Sequence, residues 1–219
     1  MDLNHIEAGL NHSDFQHRLR AIAALRDHPP DDAVPLLLRH AHDPEFLVRT
    51  FVARELGRQR NAESFATLLQ LIRSDENANV RAEVANSLSL FGQVAAPQLV
   101  HVFFRDRHWL VRRSILAALI DMDRSEEVLE VCEVGVKGSD IPVQEASVDA
   151  LGSLAASGHT SVALARLLHL KQSEMDYIRV RVAYALKHFD APEAKAALAQ
   201  LRQDTSHRVV GAAMEDWVP

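Results

Sequence analysis

The chain has one cysteine, Cys132, in 219 residues, which excludes an internal disulfide, and no Cys-x-x-Cys or paired Cys/His spacing offers a zinc site. Glycine and proline number eight each, too few for a sheet protein built on tight hairpins, so strand content is expected to be close to none. No stretch approaches 18 uncharged apolar residues, and the opening MDLNHIEAGLNHSD is polar and acidic, without the apolar core of a signal peptide. A soluble, cytoplasmic protein with no membrane insertion is expected. An excess of positive charge is missing too: the net charge of −6 and a pI near 6.0 argue against a surface built to neutralise phosphates. Nucleic acid is therefore not expected as a partner, and a local basic patch is all that could serve it.

What is present is the ordinary mixture of a globular chain, 47% apolar and 25% charged, which suffices for a sizeable core. Ala, Leu, Arg, Glu and Gln are abundant, which favours helix. Aligned against itself, the chain repeats. The pattern Val-Arg-x-x-Val-Ala-x-x-Leu begins at Val48, Val80, Val111, Val143 and Ile178, with a weaker first copy at His17 and a remnant at Val209. The intervals from 17 to 178 are 31, 32, 31, 32 and 35 residues, then 31 more to Val209. Offsets 0, 4, 5 and 8 place the apolar residues on one helical face, and the small residue lets a neighbouring backbone approach.

Aspartates precede these helices: Asp14, Asp43, Asp75, Asp106, Asp140, Asp176 and Asp204. Each is suited to N-cap the second helix of a unit or to satisfy the turn before it. Upstream lie other apolar-periodic runs, 33–40, 64–72, 95–104, 126–136, 162–170 and 193–201, which read as first helices. Pro30, Pro97 and Pro192 fall where a helix begins, and Gly57, Gly92 and Gly152 where the second helix is expected to end. The longer interval between Val143 and Ile178, around Gly158, His159 and Thr160, predicts a local irregularity. Neither helix of a unit can bury its stripe alone, so the hairpins must stack. The expected architecture is all-α, about seven short hairpins in a single domain over 1–219, with 1–13 a partly ordered cap.

The turn aspartate, the following Val-Arg and the Ala-x-x-Leu-Gly tail resemble HEAT repeats of the short, phycobilisome lyase-like variety. The likeness covers nearly the whole chain and is sharpest in HRLRAIAAL at 17–25, WLVRRSILAAL at 109–119 and IRVRVAYALKHFDAPEAKAALAQL at 178–201. Tetratricopeptide and ankyrin signatures do not occur. This resemblance implies a right-handed α-solenoid. It also implies a protein client, a phycobiliprotein subunit, and an open-chain tetrapyrrole such as phycocyanobilin as a transient ligand, with no tightly bound cofactor. Members of that family attach bilins to client cysteines or serve phycobilisome degradation. A non-catalytic adaptor with another client, and a DNA-lesion binder of the HEAT-like glycosylase type, are the rival readings.

Two segments are candidate partner- or bilin-binding sites. The first, Arg105 to Arg113, concentrates cations and aromatics in Arg107, His108, Trp109, Arg112 and Arg113. It reads either as an anchor or as a junction plugged by Trp109. The second is Asp176, Tyr177, Arg179 and Arg181, with Tyr177 either a site residue or a half-buried packing residue. No catalytic residue is assigned. The recurring Arg18, Arg49, Arg81, Arg112 and Arg179 read as a structural ladder with turn aspartates such as Asp43, Asp75 and Asp106, broken at Gln144. Cys132, flanked by Glu130 and Glu133, reads as a buried inert thiol. Among twelve histidines only His40 and His42 are close enough to suggest chelation, and no His-Glu dipeptide of the iron-dependent HEAT hydroxylases occurs, so no metal is expected.

Overall fold

The structure is a computed structural model that describes residues 2–215. It shows fourteen α-helices and no strand among those residues, and its contacts divide into two compact units, Met1–Met122 and Asp123–Pro219. The first unit holds four hairpins: α1 (Leu3–Leu10) with α2 (Phe15–Ala24), α3 (Pro30–Arg39) with α4 (Phe46–Gln59), α5 (Ala62–Ser74) with α6 (Ala78–Ser89), and α7 (Ala96–Arg105) with α8 (Trp109–Asp121). The second holds three: α9 (Ser125–Gly135) with α10 (Ile141–Ser153), α11 (Thr160–Leu170) with α12 (Asp176–Leu186), and α13 (Pro192–Leu201) with α14 (His207–Met214). The stretch expected as a partly ordered cap, 1–13, contains the helix α1, whose N-cap Asp2 accepts from the His5 amide and whose Ile6 and Leu10 are buried.

Within each unit, second helices pack on second helices far more extensively than first helices pack on first. Small residues make this approach possible. A Cβ on Gly57 would lie 2.7 Å from the Ser87 Cβ, and one on Gly152 would lie 3.0 Å from the Ala185 Cα. These two glycines were expected to end their helices. Instead both lie inside them, buried where α4 meets α6 and α10 meets α12, so contact rather than capping requires glycine there. Gly92 alone behaves as a turn glycine, at φ +68 with open space around it. The repeat anchors Val48, Val80, Val111, Val143 and Val209 are fully buried, and Ile178 is 4% exposed. Burying one such valine contributes roughly 1.5–3 kcal/mol, which is why the apolar face holds its period.

The ladder is seen at Arg18, Arg49, Arg81 and Arg179, and its geometry is more specific than an ion pair. Arg49 donates from Nη1 to the carbonyls of Asp43 and Pro44 in its own turn, at 2.8 and 3.3 Å. Its Nε and Nη2 grip both oxygens of Asp75 in the next turn, at 2.6 and 2.9 Å. Asp75 in turn accepts the Asn77 amide at 2.9 Å. The same fork joins Arg18 to Asp43, Arg81 to Asp106 and Arg179 to Asp204. The aspartates at 43, 75, 106 and 204 each accept the amide two residues on, so they fix turns rather than cap helices. Asp14 is a true N-cap, accepting from Gln16, whereas Asp176 is the first residue of α12 and is out of register with the ladder.

Where the long interval predicts an irregularity, a 3-10 turn at Leu154–Ala156 is followed by Ser157 accepting the His159 amide, and by Thr160 donating to the Ser157 carbonyl at 2.6 Å.

Candidate functional site

In the first unit, Arg107, His108, Trp109 and Arg113 are exposed around the α7–α8 turn. His108 is the N-cap of α8: its Nδ1 accepts the Leu110 amide at 3.2 Å, and its ring stacks on Trp109 at 5.9 Å between centroids. Trp109 is 38% exposed, so it does not plug a junction between hairpins. Phe104 on α7 is also exposed, with its ring edge-on to the buried Phe103. Arg112 is half-buried, with its guanidinium 4.5 Å from the Phe103 ring centre. The segment therefore splits by helical phase: Trp109 and Arg113, four apart, stay outside, while Val111 and Arg112 go in.

In the second unit, the second-helix face carries the other cluster. Tyr177, Arg181 and Tyr184 follow one another at helical spacing along α12. Arg181 binds both oxygens of Asp149 on α10, its Nε at 2.7 Å from Oδ1, and its guanidinium lies 5.8 Å from the Tyr184 ring centre. Lys187 caps the same ring at 5.1 Å. Tyr177 donates to Gln144 at 2.8 Å. Asp176 accepts the Ser206 hydroxyl at 3.0 Å and faces Arg208 at 3.6 Å. Arg179, four residues from Met175, is drawn out of this cluster into the ladder. Sequence reasoning missed Asp149, Tyr184 and Lys187. Spacing from Tyr177 and Arg181 could have found Tyr184, but only packing of α10 on α12 brings Asp149 to the arginine.

Electrostatics sort structure from site. Burial pushes the Asp75 carboxyl up, but the Arg49 guanidinium and the Asn77 amide outweigh it and hold it below its ordinary value. The hydrogen bond to Asp204 raises Arg179, and the reciprocal bond lowers Asp204. Asp149 likewise raises Arg181. Cys132 donates to the Ser147 carbonyl at 3.4 Å, and burial drives its thiol far above the ordinary range, leaving it inert at neutral pH. It lines a cavity of about 230 Å³ with Glu133, Leu151, Arg166 and His169, where Arg166 and Glu133 pair at 2.5 Å. Among the described residues no three His, Cys, Asp or Glu side chains converge to hold a metal. His40 sits 3.8 Å from Asp43 instead of pairing with His42. No helix there is long and apolar enough to cross a membrane.

Comparison with known proteins agrees with this architecture. The HEAT repeats family profile matches residues 3–89 and 42–120, together more than half of the chain. No curated protein matches it. Among solved structures, the chain is similar to YibA of E. coli, at 16% identity and a TM-score of 0.66 over 98% of this chain and 81% of that one. It is similar to the CpcE and CpcF complex of phycocyanin lyase from Nostoc sp. PCC7120, at 18% identity and a TM-score of 0.55, over 100% of this chain and 95% of that one. A third likeness is to the Kap95p complex with RanGDP, at 15% identity and a TM-score of 0.69, over 96% of this chain and 34% of that one. At these identities the likeness is one of fold. With its helices hairpinned throughout the described residues and over half of its length matched by that profile, the chain belongs to the HEAT-repeat family.

Proposed function

We propose that this HEAT-repeat scaffold binds phycobiliproteins and assists the detachment, or the attachment, of their bilin, with phycocyanobilin as a transient ligand. The observation that carries the reading is the fold likeness along the whole chain to a phycocyanin lyase complex. The surface is compatible with it. Exposed Trp109, His108 and Arg113 in the first unit, and Tyr177, Arg181 and Tyr184 in the second, are the residue types that dominate protein interfaces and that stack on or pair with a flat, anionic ligand. Detachment breaks the thioether: a base removes a proton from the bilin carbon next to the C–S carbon, a double bond forms, and the client cysteine leaves as thiolate and is reprotonated. Attachment is the reverse addition. Either direction needs the client gripped and the bilin oriented.

An adaptor that only docks its client is favoured by one observation. The charged groups on the α12 face are already committed to one another, Arg181 to Asp149 and Asp176 to Arg208. One assay separates the two. The chain is incubated with holo-phycocyanin while the visible spectrum is followed, and the mixture is then run on a sizing column. Loss of absorbance with release of free bilin is the expected result. Co-elution with an unchanged spectrum assigns the adaptor, and neither effect removes phycobiliproteins as clients.

A further inference from the structure

The repeat supplies its own control for a basic groove in the first unit. A groove of about 450 Å³ runs along the turn edge between the α5–α6 and α7–α8 turns, with Ile72 and Val102 in its floor. One repeat earlier a groove of about 350 Å³ lies in the corresponding place, lined by Asp43, Arg49, Asp75 and Glu76. Ladder geometry is the same in both, so differences between them are not demanded by the fold. Most of them add positive charge, the exception being His42 of the earlier groove, where the later repeat has Ser74. Counting from the turn aspartates, Arg73, His101, Arg105 and Arg107 stand where the earlier repeat has Ala41, Gln70, Ser74 and Glu76. The second groove thus sets four arginines against two aspartates, and the first sets one arginine against two aspartates and a glutamate.

The charges inside the basic groove are not equally available. Arg81 spends Nε and Nη2 on Asp106 and Nη1 on the Asp75 carbonyl, while the Asp75 carboxylate is held by Arg49. Arg73 gives one Nη2 bond, of 2.6 Å, to Gln98 and keeps its remaining donors. Arg73, His101, Arg105 and Arg107 are all exposed on the rim. The floor arginine is saturated by the fold, and the rim cations are distributed over α5, α7 and the α7–α8 turn. They suit several carboxylates spaced along an extended chain.

We propose that this groove docks an acidic segment of a partner protein, whose carboxylates pair with Arg73, Arg105 and Arg107. This rests on the reading of the chain as a protein-binding scaffold, and not on the client being a phycobiliprotein. The test titrates the full chain into a fluorescein-labelled peptide of alternating glutamate and serine, its glutamine counterpart and oligothymidylate, following anisotropy at two salt concentrations. The key variant carries the earlier repeat's residues, Arg73→Ala, His101→Gln, Arg105→Ser and Arg107→Glu, which the fold already accommodates. Arg20→Glu with Arg60→Glu is the charge-matched control elsewhere on the first unit, and Arg105→Gln with Arg107→Gln serves if the four-fold variant does not fold. The glutamate peptide is expected to bind with a salt-dependent affinity that falls at least about tenfold in the groove variants and little in the control. Equal binding of the glutamine peptide, equal loss in the control, or tighter groove-dependent binding of oligothymidylate overturns the proposal. If the peptide result holds and phycocyanin does not co-elute, the groove stands and the client reading falls.

Discussion

The Tyr177 hydroxyl donates to Gln144 Oε1 at 2.8 Å, at the second helix where a ladder arginine is replaced by glutamine. Gln144 keeps half of the arginine's task, donating from Nε2 to the Gly138 carbonyl at 2.9 Å as Arg49 does to Asp43. The other half has no carboxylate to reach, because the next turn holds Ser173 where the ladder turns hold Asp43, Asp75, Asp106 and Asp204. Ser173 Oγ still accepts the amide two residues on, at 3.3 Å. The break is thus a matched pair of changes, with Tyr177 filling the space.

Restoring both partners should recover the ladder. Gln144→Arg or Ser173→Asp alone leaves a half-buried charge facing no partner and is expected to cost about 1 kcal/mol each. Together they should show a favourable coupling of roughly 1–2 kcal/mol in a double-mutant cycle read by urea unfolding. Additive losses would mean that the tyrosine contact, and not the missing pair, defines this turn.

Cutting an intact rung should be costly. Arg49 and Asp75 are 15% and 3% exposed, and Arg49→Ala strips Asp75 of its cation while releasing two turn carbonyls. A loss of about 3 kcal/mol is expected, against under about 1 kcal/mol for Lys195→Ala at a surface pair. Equilibrium unfolding of the two variants gives the comparison directly.

Acid should weaken the fold through the same residues. Asp43, Asp75 and Asp204 all lie below their ordinary values in the folded chain. A depressed carboxyl contributes stability that is present above its unfolded pKa, ~3.9, and is lost as pH falls through the folded value. The urea midpoint should therefore drop as pH is lowered below about 4, and the slope should be shallower in Arg49→Ala.

Glu55 has the opposite sign. It is 1% exposed on α4, and burial raises its pKa despite Arg26 and Arg58 at 3.6 and 3.7 Å. A raised carboxyl contributes stability below its unfolded pKa, ~4.3, which is lost as pH rises through the folded value. Corresponding positions on the other second helices carry Ala24, Ser87, Ala118, Ala150 and Ala185. Glu55→Ala is expected to be neutral or stabilising by about 1 kcal/mol at pH 7, with the gain shrinking toward pH 4. A destabilised variant at pH 7 would show that the two arginines need this carboxylate.

Gly57→Ala should destabilise by roughly 1–3 kcal/mol, because the new methyl meets the Ser87 Cα at 3.0 Å and the backbone has to move. Gly57→Ala with Ser87→Gly should recover part of that loss, as measured by thermal unfolding.

By itself the sequence determined the helices, their pairing into hairpins and the interval between them, because helical periodicity and repeat spacing are properties of consecutive residues. Val48, Val80 and Val111 had to be buried, and Arg49 had to recur, wherever the chain went in space. It also placed Trp109 and Tyr177 at turns, but not whether either faced solvent. Tertiary structure decided the rest, mostly through contacts between residues about 30 positions apart. Packing of α4 on α6 turned Gly57 from an apparent helix end into a contact point, α10 on α12 brought Asp149 to Arg181, and helical phase around the α7–α8 turn sent Arg112 onto Phe103 while leaving Trp109 outside. A side chain's partner is fixed by which neighbour the stack delivers, and no local pattern carries that information.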